Sequence, residues 1–293
     1  MCKWKYFGIL HSLTVIFEVV QLFSHEIQIK QFNFGDKNKI TILPIGDIHI
    51  GAKTSMWQNA LNIIDKLIKE YPNLKLIGVG DYGDNATKYS RASTYDNVMT
   101  PLEQLRVFQD NFLKKYKDRW LMVVAGNHEF NRLERESGIN PVEEACFNLD
   151  IPYSKATGII DVSVGRFKKM NNKIYGYNYL IQVTHGSSAA RTKGGQHNAA
   201  VRTAQKIKNA DIYISGHTHY PVTGHGGTLL FDRKNKKLKY NNQVVLTSAS
   251  WLGYEGYADR KNYEPTGYAV QLLTLHGRVK KQVDVKSYGI NEF

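Results

Sequence analysis

Cysteine is almost missing from this 293-residue chain, which has two, Cys2 and Cys146. Two thiols build neither a disulfide framework nor a zinc-finger thiolate site, so any metal must be held by nitrogen and oxygen. Proline is nearly as scarce, at seven residues, and no Pro/Ser-rich linker or solenoid-period repeat breaks the chain. One main domain with a sizeable core is expected. Long apolar runs are lacking too. The nearest, Phe7 to Phe23, follows Lys3 and Lys5 in the outline of a secretion signal, but His11 and Glu18 interrupt it and no small-residue cleavage site follows. It is also shorter than a spanning helix needs. Residues 1–25 are therefore read as an N-terminal extension and 26–293 as the domain, with a cytoplasmic location expected and no stable membrane insertion; export through an atypical signal is the alternative.

Acidic residues are outnumbered, 26 Asp and Glu against 39 Lys and Arg, for a net charge of +13. That excess favours polyanionic partners such as nucleic acid or phosphorylated substrates. A lysine bias spread over a chain rich in Asn, Ile and Tyr also arises from gene composition alone. The clusters at Arg166 to Lys169, Arg233 to Lys239 and Arg278 to Lys281 equally suit solvated hairpin turns.

What the chain does contain is one arrangement used five times. Apolar, β-branched runs at Ile40 to Ile45, Leu74 to Val79, Trp120 to Ala125, Tyr179 to Thr184 and Asp211 to Ser215 read as buried strands. Each is followed at once by a polar cluster: Gly46-Asp47-Ile48-His49, Gly80-Asp81-Tyr82-Gly83-Asp84-Asn85, Gly126-Asn127-His128-Glu129, His185-Gly186 and Gly216-His217-Thr218-His219. Helical spacing lies between several of them, at Met56 to Glu70, Pro101 to Lys117, Val142 to Leu149 and Asn198 to Lys208, an α/β pattern. Polar groups in such folds gather beyond the carboxyl ends of the strands, so the five clusters are expected to share one site. Glu26 to Phe32 and Lys39 to Leu43, around the Gly35-Asp36 turn, read as a first hairpin.

In an extended segment residues i and i+2 point the same way, so Asp47 and His49 are expected to face one ion, as are His217 and His219. Adding Asp81, Asn127 and His185 gives more donors than one tetrahedral ion takes, which points to two ions. Two ions a few ångströms apart, bridged by a carboxylate, hold a hydroxide and clamp a phosphoryl group during in-line displacement. A lone Asp-x-His after a strand is more often a capped turn; the ensemble carries the metal reading.

These five blocks, in this order from Gly46 to His219, resemble the calcineurin-like metallophosphoesterase superfamily. The resemblance implies a four-layer α/β/β/α sandwich of two mixed sheets with flanking helices and a dinuclear metal site at strand ends. It implies one ion on Asp47, His49, Asp81 and His219 and a second on Asp81, Asn127, His185 and His217, with Asp81 as the bridge. His128 would face the substrate and stabilise the transition state or protonate the leaving oxygen, with Asp84 holding its other ring nitrogen. Mixed imidazole and carboxylate ligation accepts Mn, Fe, Zn, Ni or Co, with Mn the choice for assay.

The superfamily's Ser/Thr phosphatases continue the second block with Arg-Gly, where this chain has Asn85-Ala86. The opening Asp47-Ile48-His49-Ile50-Gly51 is closer to its DNA-repair nucleases, yet the length after His219 suits a compact stand-alone phosphoesterase of the phage and bacterial type. The expected activity is phosphoric ester hydrolysis, as a phosphodiesterase or nuclease acting through a metal-bridging hydroxide on DNA or RNA. A phosphomonoesterase or a non-catalytic scaffold of the same fold are the alternatives. Arg191, Lys193, His197 and Arg132 are candidate substrate contacts, His225 lies just after His219, and Tyr95, Trp251, Tyr254 and Tyr257 could stack on a base or complete the core.

Overall fold

The computed structural model describes residues 27–292 except 89, 91–93, 169–173, 189, 191, 204–206, 255–264, 266–267 and 279, and only the backbone of 166–168, 174–175 and 292. The extension read at residues 1–25 and Tyr257 thus lie outside the described residues.

Among the described residues, twelve strands form two mixed, six-stranded sheets. The first has the order β12 (Val283–Gly289), β11 (Ala269–His276), β2 (Lys39–Ile45), β3 (Leu74–Gly78), β4 (Trp120–Val124), β5 (Tyr153–Ser154). The second runs β1 (Ile27–Phe34), β6 (Thr157–Lys168), β7 (Ile174–Thr184), β8 (Ile212–Ser215), β10 (Lys237–Thr247), β9 (Val222–Asp232). Alternation along each strand decides which layer a side chain joins. Ile40 and Ile42 of β2, Ile77 of β3 and Val124 of β4 meet Ile160, Val162, Ile181, Ile212 and Leu246 between the sheets. Leu43, Ile45, Leu74 and Leu76 face the other way, onto helices. Each fully buried aliphatic side chain is worth roughly 1.5–3 kcal/mol over its exposed state.

The helix layer on the first sheet holds α1 (Trp57–Glu70), α2 (Pro101–Phe108) and, after the short α3 (Arg135–Ser137), α4 (Pro141–Asn148). α1 presents Ala60, Ile63, Ile64 and Leu67, a 3–4 spacing that lays one apolar stripe on the sheet. α2 begins at a capping box, in which Thr100 accepts from the Glu103 backbone N–H and Glu103 accepts from Thr100, with Pro101 at the first helical position. The second sheet carries a thinner cover: among the described residues, the one helix α5 (Lys193–Thr203), tied down where Gln182 Nε2 donates to the Thr203 carbonyl at 3.1 Å.

The Gly35-Asp36 turn closes no hairpin. β1 pairs in parallel with β6 at the edge of the second sheet, while β2 sits inside the first between β11 and β3. An alternating strand suits the edge of either sheet, but β2 is buried from Ile40 to Ile45 and needs an interior place. Strands β2, β3 and β4 run parallel to one another, as do β7, β8 and β10. The carboxyl ends of both sets meet at one pole, where the five clusters lie.

Candidate metal centre

The backbone of the clusters is bent rather than extended. Asp47, His49, Asp81, His217 and His219 all have positive φ, between 47° and 70°, and account for five of the eight non-glycine residues in that region among those described. The shared direction of Asp47 and His49, and of His217 and His219, therefore comes from alternating left-handed turns and not from an extended segment. Each such residue costs on the order of 1–3 kcal/mol and persists because its surroundings hold it. Here the holding is explicit: Asp47 N–H donates to Gly80 O at 2.8 Å, Ile48 and His49 N–H both donate to Asp81 O, and Ile50 N–H donates to Tyr82 O. Tyr82 is pinned in turn, its hydroxyl donating to Val124 O at 2.9 Å and its ring stacked on Phe108.

Glycine is required where these loops touch. A Cβ on Gly126 would lie 2.1 Å from Asp81 Oδ1, and one on Gly80, at φ +94°, would lie 2.6 Å from Gly126 Cα.

All seven expected ligands converge. Around the first position, His49 Nε2 and His219 Nε2 stand 3.2 Å apart, and His219 Nε2 is 3.3 Å from Asp47 Oδ1. Around the second, His185 Nε2 is 3.2 Å from Asp81 Oδ2, 3.0 Å from Asn127 Oδ1 and 3.2 Å from His217 Nδ1. Asp81 belongs to this second group and also feels the charge of His49 from the first. Ring nitrogens and carboxylate oxygens facing one another across 3 Å form the donor set a divalent cation takes. The outer ring atoms are held as ligating imidazoles usually are: His185 Nδ1 is 2.7 Å from Val79 O and His217 Nε2 is 3.1 Å from Ser188 O.

Charge follows the same division. Burial opposes ionisation of Asp81, yet His128 and His185 hold its carboxyl well below the usual range. Asp47, equally buried, is lowered by His219. Against its own burial His185 is pushed up to about 10 by Asp81, and His219 is raised by Asp47. His217 is lowered by burial and by His185. His128 is pushed down to about 3, chiefly by burial, and is neutral.

His128 stands beside the ligands, its Nε2 3.6 Å from Asp81 Oδ2 and its Nδ1 3.6 Å from Asp84 Oδ1. His49 Nδ1 is also 3.6 Å from the same oxygen, too far for a hydrogen bond in either case, and both Nδ1 atoms are buried without a hydrogen-bond partner among the described residues. Burial works against the Asp84 charge, but His49, His128 and Arg132 keep it well below the usual carboxylate range. Its other oxygen accepts from Asn97 Nδ2 at 2.8 Å, and Asn97 is fixed by Gln104 Nε2 at 2.9 Å.

The sequence assigned no role to Glu129. It is fully buried, and its carboxylate accepts from four backbone N–H groups: Asp81 and Gly126 on Oε2 and Tyr82 on Oε1, each at 2.9 Å, and Gly83 on Oε1 at 3.3 Å. Burial, with Asp81 nearby, pushes its pKa up to about 7. The available signal was Gly126-x-x-Glu129 at the head of a helical turn, the spacing of a glutamate that reaches back to cap.

The candidate substrate contacts are less uniform. Arg132 flanks the cluster with its guanidinium on Asp84, donating to both the backbone carbonyl and the carboxylate. Arg191 lies outside the described residues. Lys193 and His197 belong to a helix and not to an open loop: Thr192 caps α5 by accepting from Gly195 N–H at 3.3 Å, so the two glycines are drawn into the first turn. Lys193 Nζ sits 6.0 Å from the ring centre of Tyr220, beside His219. His197 and His225 are exposed. Trp251 is core, buried under the Asp47 loop, whereas Tyr95 is 88% exposed. A cavity of about 270 Å³ opens beside Asn127 and His185 and is lined further by Phe130, Asn131, Lys155 and Thr157.

The family model described as calcineurin-like phosphoesterase matches residues 40–221. Among solved structures, the chain is similar to the calcineurin-like phosphoesterase YfkN of Bacillus subtilis over 87% of this chain and 92% of that one, with 14% identity and a TM-score of 0.44. It is similar to a predicted phosphoesterase of Streptococcus pneumoniae over 86% and 91%, with 13% identity and a TM-score of 0.37. Zinc-complexed Vps29 of Entamoeba histolytica covers 86% and 100%, with 15% identity and a TM-score of 0.35. Comparison with curated proteins finds no match. No helix among the described residues is long and apolar enough to cross a membrane.

Proposed function

Because this chain belongs to the calcineurin-like phosphoesterase family, we propose that it is a dinuclear metal-dependent hydrolase preferring phosphodiesters, with DNA or RNA as substrate class. The observation that carries the preference is the shortage of cations at the cluster. Asn85, where a phosphatase arginine would stand, is 3% exposed, its amide packed against Gly83 and its N–H donating to Gln104. Arg132 is committed to Asp84. Neither position therefore offers a guanidinium to clamp the second charge of a monoester dianion, while a diester carries one charge and needs less.

Divalent ions on the two donor sets would supply Lewis-acid neutralisation and an acidified water. The chain's own residues do the rest. Asp81 would be the carboxylate shared by the two sets, and His185 and His217 are oriented by the Val79 and Ser188 carbonyls. Neutral His128 takes a proton from solvent at Nε2 as substrate charge arrives and passes it to the leaving oxygen, the Asp84 carboxylate 3.6 Å from Nδ1 favouring the charged ring by its field. Phe130, 45% exposed at the cavity, offers a ring face on which a base can stack.

The test is the rate on bis(p-nitrophenyl) phosphate against p-nitrophenyl phosphate with Mn²⁺ and measured metal content, followed by single- and double-stranded DNA. A faster diester is expected. A faster monoester would make the chain a phosphatase, and no turnover under any ion would make it a scaffold.

A further inference from the structure

The end of the molecule away from the metals carries a surface that the hydrolytic reading leaves unused. Thr247 of β10 pairs with Ser215, at the metal end of β8, so β10 begins at the far pole. β8 pairs only with Val244–Thr247, leaving Lys237–Gln243 joined to Gly226–Asp232 of β9 alone. The result is a two-stranded ribbon roughly 20 Å long, anchored at its base where Gln243 Nε2 donates to Lys208 O at 2.8 Å.

One face of this ribbon is apolar and, among the described residues, uncovered. Leu229 lies opposite Tyr240 and Phe231 opposite Leu238, and opposed residues share a face. All four are 61–65% exposed. By the period of two they continue the face on which Val244 and Leu246 enter the core between the sheets, but are themselves exposed. A two-stranded ribbon with no cover is marginal by itself, and four contiguous large apolar groups exceed the scattered exposure of an ordinary surface.

The charge around this face selects the occupant. At the ribbon tip Arg233, Lys234, Lys236 and Lys237 are exposed and have no carboxylate partner among the described residues, while Asp232 is already paired with Lys239 at 2.6 Å. The β11–β12 turn reaches the same pole, since His276 pairs with Lys39 at the start of β2, and it adds Arg278 and Lys280. A second copy would bring two sets of these cations together. A single nucleic-acid strand would gain from the two aromatic rings but nothing from the leucines. An apolar face that sinks to the acyl boundary while its lysines meet headgroups uses every one of these residues.

We propose that the β9–β10 ribbon docks the protein peripherally on an anionic lipid surface, with the metal centre at the opposite pole facing solvent. The test is cosedimentation of the full chain with vesicles of phosphatidylcholine, with and without phosphatidylglycerol. Binding is expected only with the anionic lipid and is expected to fall with salt. Phe231→Ser/Leu238→Ser and, separately, Lys234→Glu/Lys236→Glu should each weaken it about tenfold or more, with melting temperature and metal content unchanged as the control for folding. Unaltered vesicle binding by both variants overturns the proposal. So does absence of vesicle binding, after which a dimer that Phe231→Ser/Leu238→Ser dissolves, or DNA affinity that the charge reversal abolishes, would name the occupant instead.

Discussion

Glu129→Gln separates the stability of this protein from the geometry of its metal centre. The carboxylate accepts four backbone N–H groups; a carboxamide keeps one oxygen and turns an NH₂ toward the other two donors. Two bonds are lost, at roughly 1–3 kcal/mol each, so about 2–6 kcal/mol. Against this, the variant no longer buries a charge. The Glu129 pKa moves from 4.5 to about 7, and that difference of 2.5 is worth on the order of 3 kcal/mol at 1.36 kcal/mol per unit. The two effects nearly offset, leaving anything from a gain of about 1 to a loss of about 3 kcal/mol. What does not offset is position, because Asp81 and Gly126 are hung on this side chain. Metal affinity should fall about 10–100-fold, as for other outer-shell changes, with turnover falling alongside. Calorimetric metal titration of the chelator-treated protein, paired with melting curves, reads both quantities. The pH dependence follows: with a folded pKa raised above the unfolded one, Glu129 contributes stability below pH 4.5 that is lost as pH rises through about 7. The advantage of wild type over variant should therefore shrink across that window. Wild-type metal affinity and rate in Glu129→Gln would refute the reasoning.

Other changes act on single parts of the same site. Asp81→Asn removes the carboxylate proposed to be shared by the two donor sets and should abolish metal occupancy and turnover together; His128→Ala should keep its metal, measured by plasma emission, and lose about 10²–10⁴ in rate. Metal loss in His128→Ala would show that it is a ligand. Gly126→Ala places a Cβ 2.1 Å from Asp81 Oδ1 and should cost metal binding while the far-ultraviolet spectrum stays native; a fully loaded variant would mean that the loops part readily. With His185 pushed up to about 10, its imidazole holds a proton at pH 7.5 without metal and must release it to bind one. Metal uptake should then show a heat that depends on the buffer, with affinity falling as pH drops, and a buffer-independent heat would contradict this.

How much of this was legible in the sequence depended on whether the signal was local. Five strands followed at once by ligands could be read because a buried strand needs an unbroken apolar run and the ligand must come where it ends. Boundaries agreed closely, as at Leu74–Gly78 and Trp120–Val124. The partner of β1 was not legible, since Ile27–Phe34 has the alternation of an edge strand and pairing lies in the other sheet. The α5 start was hidden by Gly194 and Gly195, poor helix formers overruled by the Thr192 cap. Left-handed backbone at Asp47 or His217 has no marker in side chains chosen as ligands, and Glu129 speaks only through the N–H groups that it collects.

The two donor sets also divide between the sheets. Asp47, His49, Asp81 and Asn127 follow β2, β3 and β4, while His185, His217 and His219 follow β7 and β8. Each ion would therefore be a cross-link, a rivet through the open end of a sandwich that is otherwise held by side-chain packing. Whatever binds there and not to the unfolded chain adds its binding free energy to the clamp. Stripping the ions should loosen the sheets from the metal end inward, so that amide protons at the ends of β4 and β8 exchange before those deep in β2 and β6.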